Sequence, residues 1–171
     1  MDKGYVHVYT GDGKGKTTAA LGLSLRALCA GKKVFFAQFI KGMDTSELKI
    51  PEMIKGFTIL QYGRDCFIEG SPRQEDILLA KKGLQEVSCI LRDGEFDLVV
   101  LDEINMAIYY GLFQVDEIID LLKSRHQGVE VVLTGRNADK KIIEYADLVS
   151  EIKKVKHYYE NGVQAREGIE K

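Results

Sequence analysis

Thr10-Gly11-Asp12-Gly13-Lys14-Gly15-Lys16-Thr17-Thr18 decides how this chain is read. It follows a short β-branched and aromatic run, Tyr5–Thr10, and opens a segment of helical composition, Lys16–Ala30, which Gly31 can end. A strand that turns through glycines into a helix is the setting of a Walker A phosphate-binding loop. Backbone N–H groups there cradle phosphate, a lysine reaches the terminal phosphates, and a hydroxyl is offered to Mg²⁺. In this chain Gly11, Asp12, Gly13, Lys14 and Gly15 form the turn, Lys16 is the phosphate lysine, and Thr17 supplies the hydroxyl. Thr18 lies in the first helical turn, whose positive end adds to the anion site. Thr10 stands where the usual pattern has its first glycine. Counted from Gly11 the loop is one residue short, which predicts a phosphate grip unlike that of a standard ATPase.

Working outward, short apolar runs alternate with helix-length segments. Val34–Ile40, Phe57–Tyr62, Leu98–Leu101, Val129–Thr134 and Leu148–Lys153 read as five further strands. The almost continuous hydrophobicity of Val34–Ile40 is that of a strand covered on both faces. Ser71-Pro72-Arg73-Gln74 places a capping residue, a proline at the first helical position and a glutamine at the third, predicting a helix to about Asp93. Val115–His126 reads as a helix, and Asn137 as the cap of a short one through about Tyr145. The alternation predicts an α/β fold: a three-layer, six-stranded, mostly parallel sheet in a single domain spanning 1–171. Ligands of such sheets bind beyond the carboxyl ends of the strands. Asp102-Glu103 follows the buried run Asp97–Leu101 at such an end. A carboxylate at the tip of a neighbouring strand holds Mg²⁺ or its waters, as a Walker B acid does, and sequence leaves open which of the two serves. Gln38 and Lys41 close the second strand, Asn105 follows the acidic pair, and Arg136 and Asn137 follow the fifth strand. All are candidate site residues by position.

Composition excludes several classes. Lys+Arg is 24 against Asp+Glu 26, so no broad basic surface for nucleic acid is implied. The longest aliphatic runs, such as Leu98–Leu101, fall far short of the ~20 residues that span a bilayer. No signal-peptide core precedes Tyr5. Cys29, Cys66 and Cys89 have no paired spacing, so they read as packed or idle thiols of a cytoplasmic protein.

Several stretches need more than a generic nucleotide site. These are Gln38-Phe39-Ile40-Lys41-Gly42, Leu101-Asp102-Glu103-Ile104-Asn105 with Gly111-Leu112, Thr134-Gly135-Arg136-Asn137-Ala138, and Ala146–Glu151. Val155-Lys156-His157 and Gly162–Glu170 complete the set. Together with Gly11–Thr18, in order and over nearly the whole chain, they resemble the P-loop-type ATP:cob(I)alamin (corrinoid) adenosyltransferases. The resemblance implies a RecA-like fold, usually a homodimer, and transfer of the 5′-deoxyadenosyl group of ATP to the cobalt of a reduced corrinoid, with release of triphosphate. It implies ATP, Mg²⁺ (or Mn²⁺) and a corrinoid such as cobalamin or cobinamide as the molecules bound, and a flavin or flavodoxin-type reductant as electron source. Lys16, Asp102 and Glu103 would carry the catalytic charges, with Thr17, Asp102 and Glu103 as candidate metal ligands. Phe67 is the counterpart of a family phenylalanine that packs against the corrinoid. The tryptophan that accompanies it in the family is missing, as the chain contains none. Two alternatives stay open at this point: a P-loop nucleoside kinase, and a non-catalytic ATP- or corrinoid-binding module.

Overall fold

The computed structural model describes residues 2–64 and 70–171. The elements are β1 (Val6–Thr10), α1 (Lys16–Cys29), β2 (Val34–Phe39), a 3-10 turn (Ser46–Lys49) leading into the one-turn helix α2 (Ile50–Met53), and β3 (Phe57–Tyr62). There follow α3 (Gln74–Asp93), β4 (Leu98–Asp102), α4 (Ile104–Tyr109), α5 (Val115–Lys123), β5 (Glu130–Thr134), α6 (Lys140–Tyr145), β6 (Leu148–Glu151) and a last 3-10 turn, Tyr158–Asn161. The six strands form one parallel sheet in the order β3-β2-β4-β5-β1-β6. This is the three-layer α/β architecture that the strand-helix alternation predicts.

Side-chain alternation divides the core into two layers. Val34 and Phe36 of β2, Leu98 and Val100 of β4 and Val132 of β5 face α1, where Ala20 is fully buried among them and Leu21, Ala27 and Leu28 pack at the margin. Phe35, Ala37 and Phe39, Val99 and Leu101, and Val131 and Leu133 face the other way. Ala80, Val87 and Leu91 of α3, Ile118 and Leu122 of α5 and Ile142 of α6 cover them. Every residue of β2 and of β4 is buried, which is why those two runs carry no polar alternation until their last positions.

The structure corrects three local expectations. β4 is not the neighbour of β1, because β5 runs between them, so an acid at the β4 tip reaches the phosphate loop across one intervening strand. Helix α3 begins at Gln74 with Arg73 as its cap, not at Ser71. The Asp76 carboxylate turns back to accept from the Arg73 N–H at 2.8 Å, and this sets the helix start. Asp139, not Asn137, caps α6, accepting from the Lys141 N–H at 2.8 Å. Asn137 instead takes a left-handed conformation with φ 53°. The residues after the acidic pair form a short helix, α4, on which the sequence reading was silent.

Gly83 lies inside α3, against β3. Replacing a helical glycine by alanine ordinarily stabilises a protein by about 0.5–1 kcal/mol. Here a Cβ would lie 2.3 Å from Cγ of Tyr62, a buried ring packed on Phe39 at 5.5 Å between centroids. Overpacking of this kind costs about 1–3 kcal/mol, so the sign reverses. Gly83→Ala is expected to lower the Tm by several degrees, at about 2–4 °C per kcal/mol. A Tm equal to or above the parent's would show that the ring moves aside without cost.

Candidate active site

The same alternation that builds the core delivers a polar cluster at the strand tips. Gln38 continues the α1-facing row of Val34 and Phe36, Asp102 that of Leu98 and Val100, and Thr134 that of Val132. In the ladder Gln38 stands opposite Asp102 on one side and Gln61 on the other. Gln38, Asp102 and Thr134 have no solvent exposure, so each must find its partners inside the protein.

Asp102 finds four. Its Oδ1 accepts from the Thr134 hydroxyl at 2.6 Å and the Thr17 hydroxyl at 2.9 Å. Its Oδ2 accepts from the Lys41 ammonium at 2.7 Å and the Gln38 amide at 3.3 Å. Lys41 Nζ also lies 3.5 Å from the Thr17 hydroxyl. Burial alone would lower the pKa of the Lys41 ammonium, but the Asp102 carboxylate outweighs it and leaves the pKa raised. Gln38 is held in turn by Gln61, whose amide donates to Gln38 Oε1 and to the Met43 carbonyl, and it donates to Glu47 at 2.9 Å. The loop after β2 is thereby tied to the floor of the site.

The phosphate loop wraps the N-terminus of α1. The Lys16 side chain donates to the Gly11 and Gly13 carbonyls at 2.8 Å each. Burial lowers its pKa, against the raising effect of nearby Glu103. Gly11 and Gly13 are required by close packing: a Cβ would sit 2.5 and 2.8 Å, respectively, from the Ile152 carbonyl oxygen, and the Gly13 N–H donates to that same oxygen at 2.7 Å. Glu103 has φ 60° and opens α4; burial, followed by the Asp102 charge, raises its carboxyl pKa. Among the described residues the non-glycine residues with positive φ are Ile40, Glu103 and Asn137. They follow β2, β4 and β5, all on the carboxyl edge of the sheet. Such conformations cost on the order of 1 kcal/mol each and gather where a ligand site fixes the backbone.

Beside the loop opens a cavity of about 690 Å³. Lys14, Gly15, Lys16, Thr17 and Thr18 line one side, Ile40 to Glu47 and Arg64 another, and Ala165 with Gly168–Lys171 a third. Of the residues predicted from sequence, the five loop positions, Lys41 and Glu103 border this cavity, and Gln38 and Asp102 lie buried beneath it. Gly11, Asp12 and Gly13 form the far turn of the loop. Asn105, Arg136 and Asn137 gather at the β4 and β5 tips, off the cavity. Asn105 is fully buried, donates to the Gly135 carbonyl at 3.3 Å, and leaves its Oδ1 without a partner among the described residues; Asn137 points its amide to Met106 Sδ at 3.8 Å. Phe67 lies outside the described residues.

Sequence reasoning missed Thr134, Gln61, Glu47 and Arg64. Thr134 was legible as the polar end of an alternating strand; Gln61 and Glu47 gave no signal of their own. Arg64 is pinned through Nε and Nη2 to Asp76 at 2.6 and 2.9 Å.

Comparison with known proteins agrees with this architecture. The sequence profile of the family described as ATP:corrinoid adenosyltransferase BtuR/CobO/CobP matches residues 2–170. A corrinoid adenosyltransferase of a Sinorhizobium species is 38% identical over 173 residues, covering 99% of this chain and 81% of that protein. Those of Pseudomonas aeruginosa and Escherichia coli K12 are 36% and 34% identical, each over 99% of this chain and over 84% and 86% of their own lengths. A glycine-rich loop of this kind facing a buried acid across a parallel sheet defines a protein of the P-loop α/β fold. Within that class, the chain belongs to the ATP:corrinoid adenosyltransferase family.

Arg64→Met would leave the Asp76 carboxylate, which is 5% exposed, with the Arg73 N–H as its remaining donor and no salt-bridge partner at position 64. Removing one partner of a buried pair costs roughly 3 kcal/mol. The Arg64 hydrogen bonds hold the Asp76 carboxyl below its ordinary pKa, so the stabilisation is present above the carboxylate range and disappears as pH falls through it. Urea denaturation should therefore show the variant much weaker than the parent at pH 7, with the gap closing towards pH 3. A gap independent of pH would contradict an ionic origin.

Proposed function

We propose that this protein transfers the 5′-deoxyadenosyl group of ATP to the Co(I) centre of a corrinoid. The observation that carries this reading is the phosphate-loop cavity whose floor is the Thr17–Asp102–Lys41 cluster, in a chain of this family. The bond between C5′ of the ribose and its 5′ oxygen breaks, the cobalt electron pair forms the Co–C bond, and triphosphate departs with the oxygen and its electron pair. No proton moves in this step, so the protein needs no general base. Its tasks are to hold C5′ in line with cobalt and to receive the charge of the leaving group.

In this reading Lys16 exchanges the Gly11 and Gly13 carbonyls for phosphate oxygens, and the backbone from Gly11 to Thr18 cradles the chain. The Thr17 hydroxyl and the Asp102 carboxylate, 2.9 Å apart, are hard oxygen donors suited to Mg²⁺, and Glu103 stands beside them. Bound there, Mg²⁺ would offset the negative charge of the departing triphosphate. Gln38 fixes Asp102, and Lys41 neutralises it until nucleotide arrives. Asn105, Arg136 and Asn137, with the spare Asn105 Oδ1, serve the corrinoid side, and Phe67 covers the face of the corrinoid vacated by its lower ligand. The protein acts as a homodimer. The part-exposed Leu148 and Val149 on edge strand β6, at 43% and 41%, support a further apolar contact there. A reduced flavin or flavodoxin supplies the electron that makes Co(I). The free thiols of Cys29 and Cys89 support a reducing, cytoplasmic setting. Among the described residues no helix is long and apolar enough to cross a membrane. A nucleoside kinase is not favoured, since the curated relatives named for an activity are corrinoid adenosyltransferases.

The test is direct. With MgATP and chemically reduced cobinamide, the corrinoid spectrum should change to that of an alkylcobalt species while triphosphate accumulates. Lys16→Ala should slow the change by at least 100-fold. Tight ATP binding with no alkylcobalt product would leave a binding module instead, and phosphorylation of a nucleoside would revive the kinase.

A further inference from the structure

The segment Ala165–Lys171 is mostly exposed, yet it is fastened to the phosphate loop. The Glu170 carboxylate, 16% exposed, is its hub. It accepts from the Tyr158 hydroxyl, from the Arg166 backbone N–H at 2.9 Å, and from the Arg166 guanidinium at 3.2 and 3.3 Å. Arg166 lies over the Tyr158 ring, 4.9 Å from its centroid. Lys14 reaches across from the loop, donating to the Ile169 carbonyl at 3.0 Å and standing 4.0 Å from Glu170. On the other side Ser46 donates to the main-chain oxygen of Lys171 at 3.0 Å. The segment thus bridges the phosphate loop and the loop after β2, the two other walls of the cavity.

Besides the charged Glu170 and Lys171, the segment presents an apolar side chain there. Ile169 is 54% exposed and borders the cavity with Ala165, and Leu21 of α1, Ile50 of α2 and Met43 line the same cavity. One exposed isoleucine is ordinary on a surface, but one that shares a cavity with Leu21, Ile50 and Met43 gives that cavity an apolar part suited to a flat, weakly polar group. The same cavity is lined by the phosphate loop, so an occupant with phosphates at one end can place such a group against the segment.

We propose that Ala165–Lys171 is the base wall of the nucleotide site, that Ile169 packs on the purine, and that Lys14 serves as the latch of this wall rather than as a phosphate ligand. This rests on the ATP-dependent reading above and assigns that site's base-binding side. The hydrogen bonds from Arg166 and Tyr158 hold the Glu170 carboxyl down at about 2, so the latch stays anionic wherever the enzyme works. Lys14 couples the two ends of the ligand: the loop and the wall come into register together.

Calorimetric titration with MgATP and with magnesium inorganic triphosphate separates base from phosphate binding. Glu170→Ala and Lys14→Met should each weaken ATP binding about tenfold and Ile169→Ser about fivefold, all three leaving triphosphate affinity within twofold of the parent. The double variant Lys14→Met/Glu170→Ala should be no weaker than the worse single one, because both remove the same latch. Ile169→Ser alters an exposed side chain and leaves the latch in place, so its result stands even where Glu170→Ala folds poorly. ATP binding unchanged or tightened in Ile169→Ser would overturn the wall. Equal losses for ATP and triphosphate in Glu170→Ala would make the segment a prop of the loop, and a triphosphate loss in Lys14→Met would return Lys14 to the phosphates. A parent protein that binds neither ligand would instead overturn the ATP-dependent reading itself.

Discussion

The site depends on one buried negative charge. Asp102 ends a fully buried strand and has no contact with solvent, and an isolated carboxylate there would cost several kcal/mol. Its compensation comes from three directions at once: Thr17 on the phosphate-loop helix, Lys41 and Gln38 at the end of β2, and Thr134 at the end of β5. Moving any of these elements leaves the charge short of a donor. The acid therefore does structural work before any ligand arrives, because it sets the relative positions of the strand tips and the loop. The Thr134 hydroxyl, which also accepts from the Glu103 N–H at 3.0 Å, carries the arrangement on into the left-handed turn that opens α4.

The fold was legible because its signals are local and redundant. Six apolar runs, a glycine-rich turn and helix-length spacers leave little room for anything but a parallel α/β sheet, and the runs fall on the observed strands. Strand order was not legible. That β5 lies between β1 and β4 is decided by packing across the sheet, which no local pattern records. Helix boundaries failed where one local cap outcompeted another. Ser71 is a good cap by residue type, yet the Asp76 carboxylate, bonded to the Arg73 N–H and steadied by Arg64, starts α3 at Gln74, and Asn137 loses the capping of α6 to Asp139.

The site was half legible for a related reason. Residues that belong to a ligand-binding motif announce themselves, as Lys16, Thr17 and the Asp102-Glu103 pair do. Residues that hold those groups in place have no motif of their own. Gln61 and Glu47 act only through Gln38, and their roles appear only when the ladder sets Gln38 opposite both Gln61 and Asp102. Asn105, Arg136 and Asn137 have the expected place at the strand tips but do not line the cavity, although the Arg136 charge acts on both Lys16 and Glu103.

The cations of the cavity add a constraint on how a polyanion enters. Lys16 is bonded to two loop carbonyls, Lys41 to Asp102, and Lys14 to the Ile169 carbonyl beside Glu170. Each is already satisfied within the protein. In the proposed reading a triphosphate therefore takes Lys16 and Lys41 by exchange of partners, while Lys14 stays with the wall, and the net gain is far smaller than the raw attraction of free ammonium groups would be. The groups respond differently to that exchange. Lys16 gives up only neutral carbonyls, so it turns to phosphate at little cost. Lys41 can leave Asp102 only if another cation takes its place, since the carboxylate is buried. Under the proposed function, the site would consequently favour a nucleotide that arrives with its metal over the bare nucleotide. That preference needs no metal-specific cage: it follows from the burial of a single aspartate.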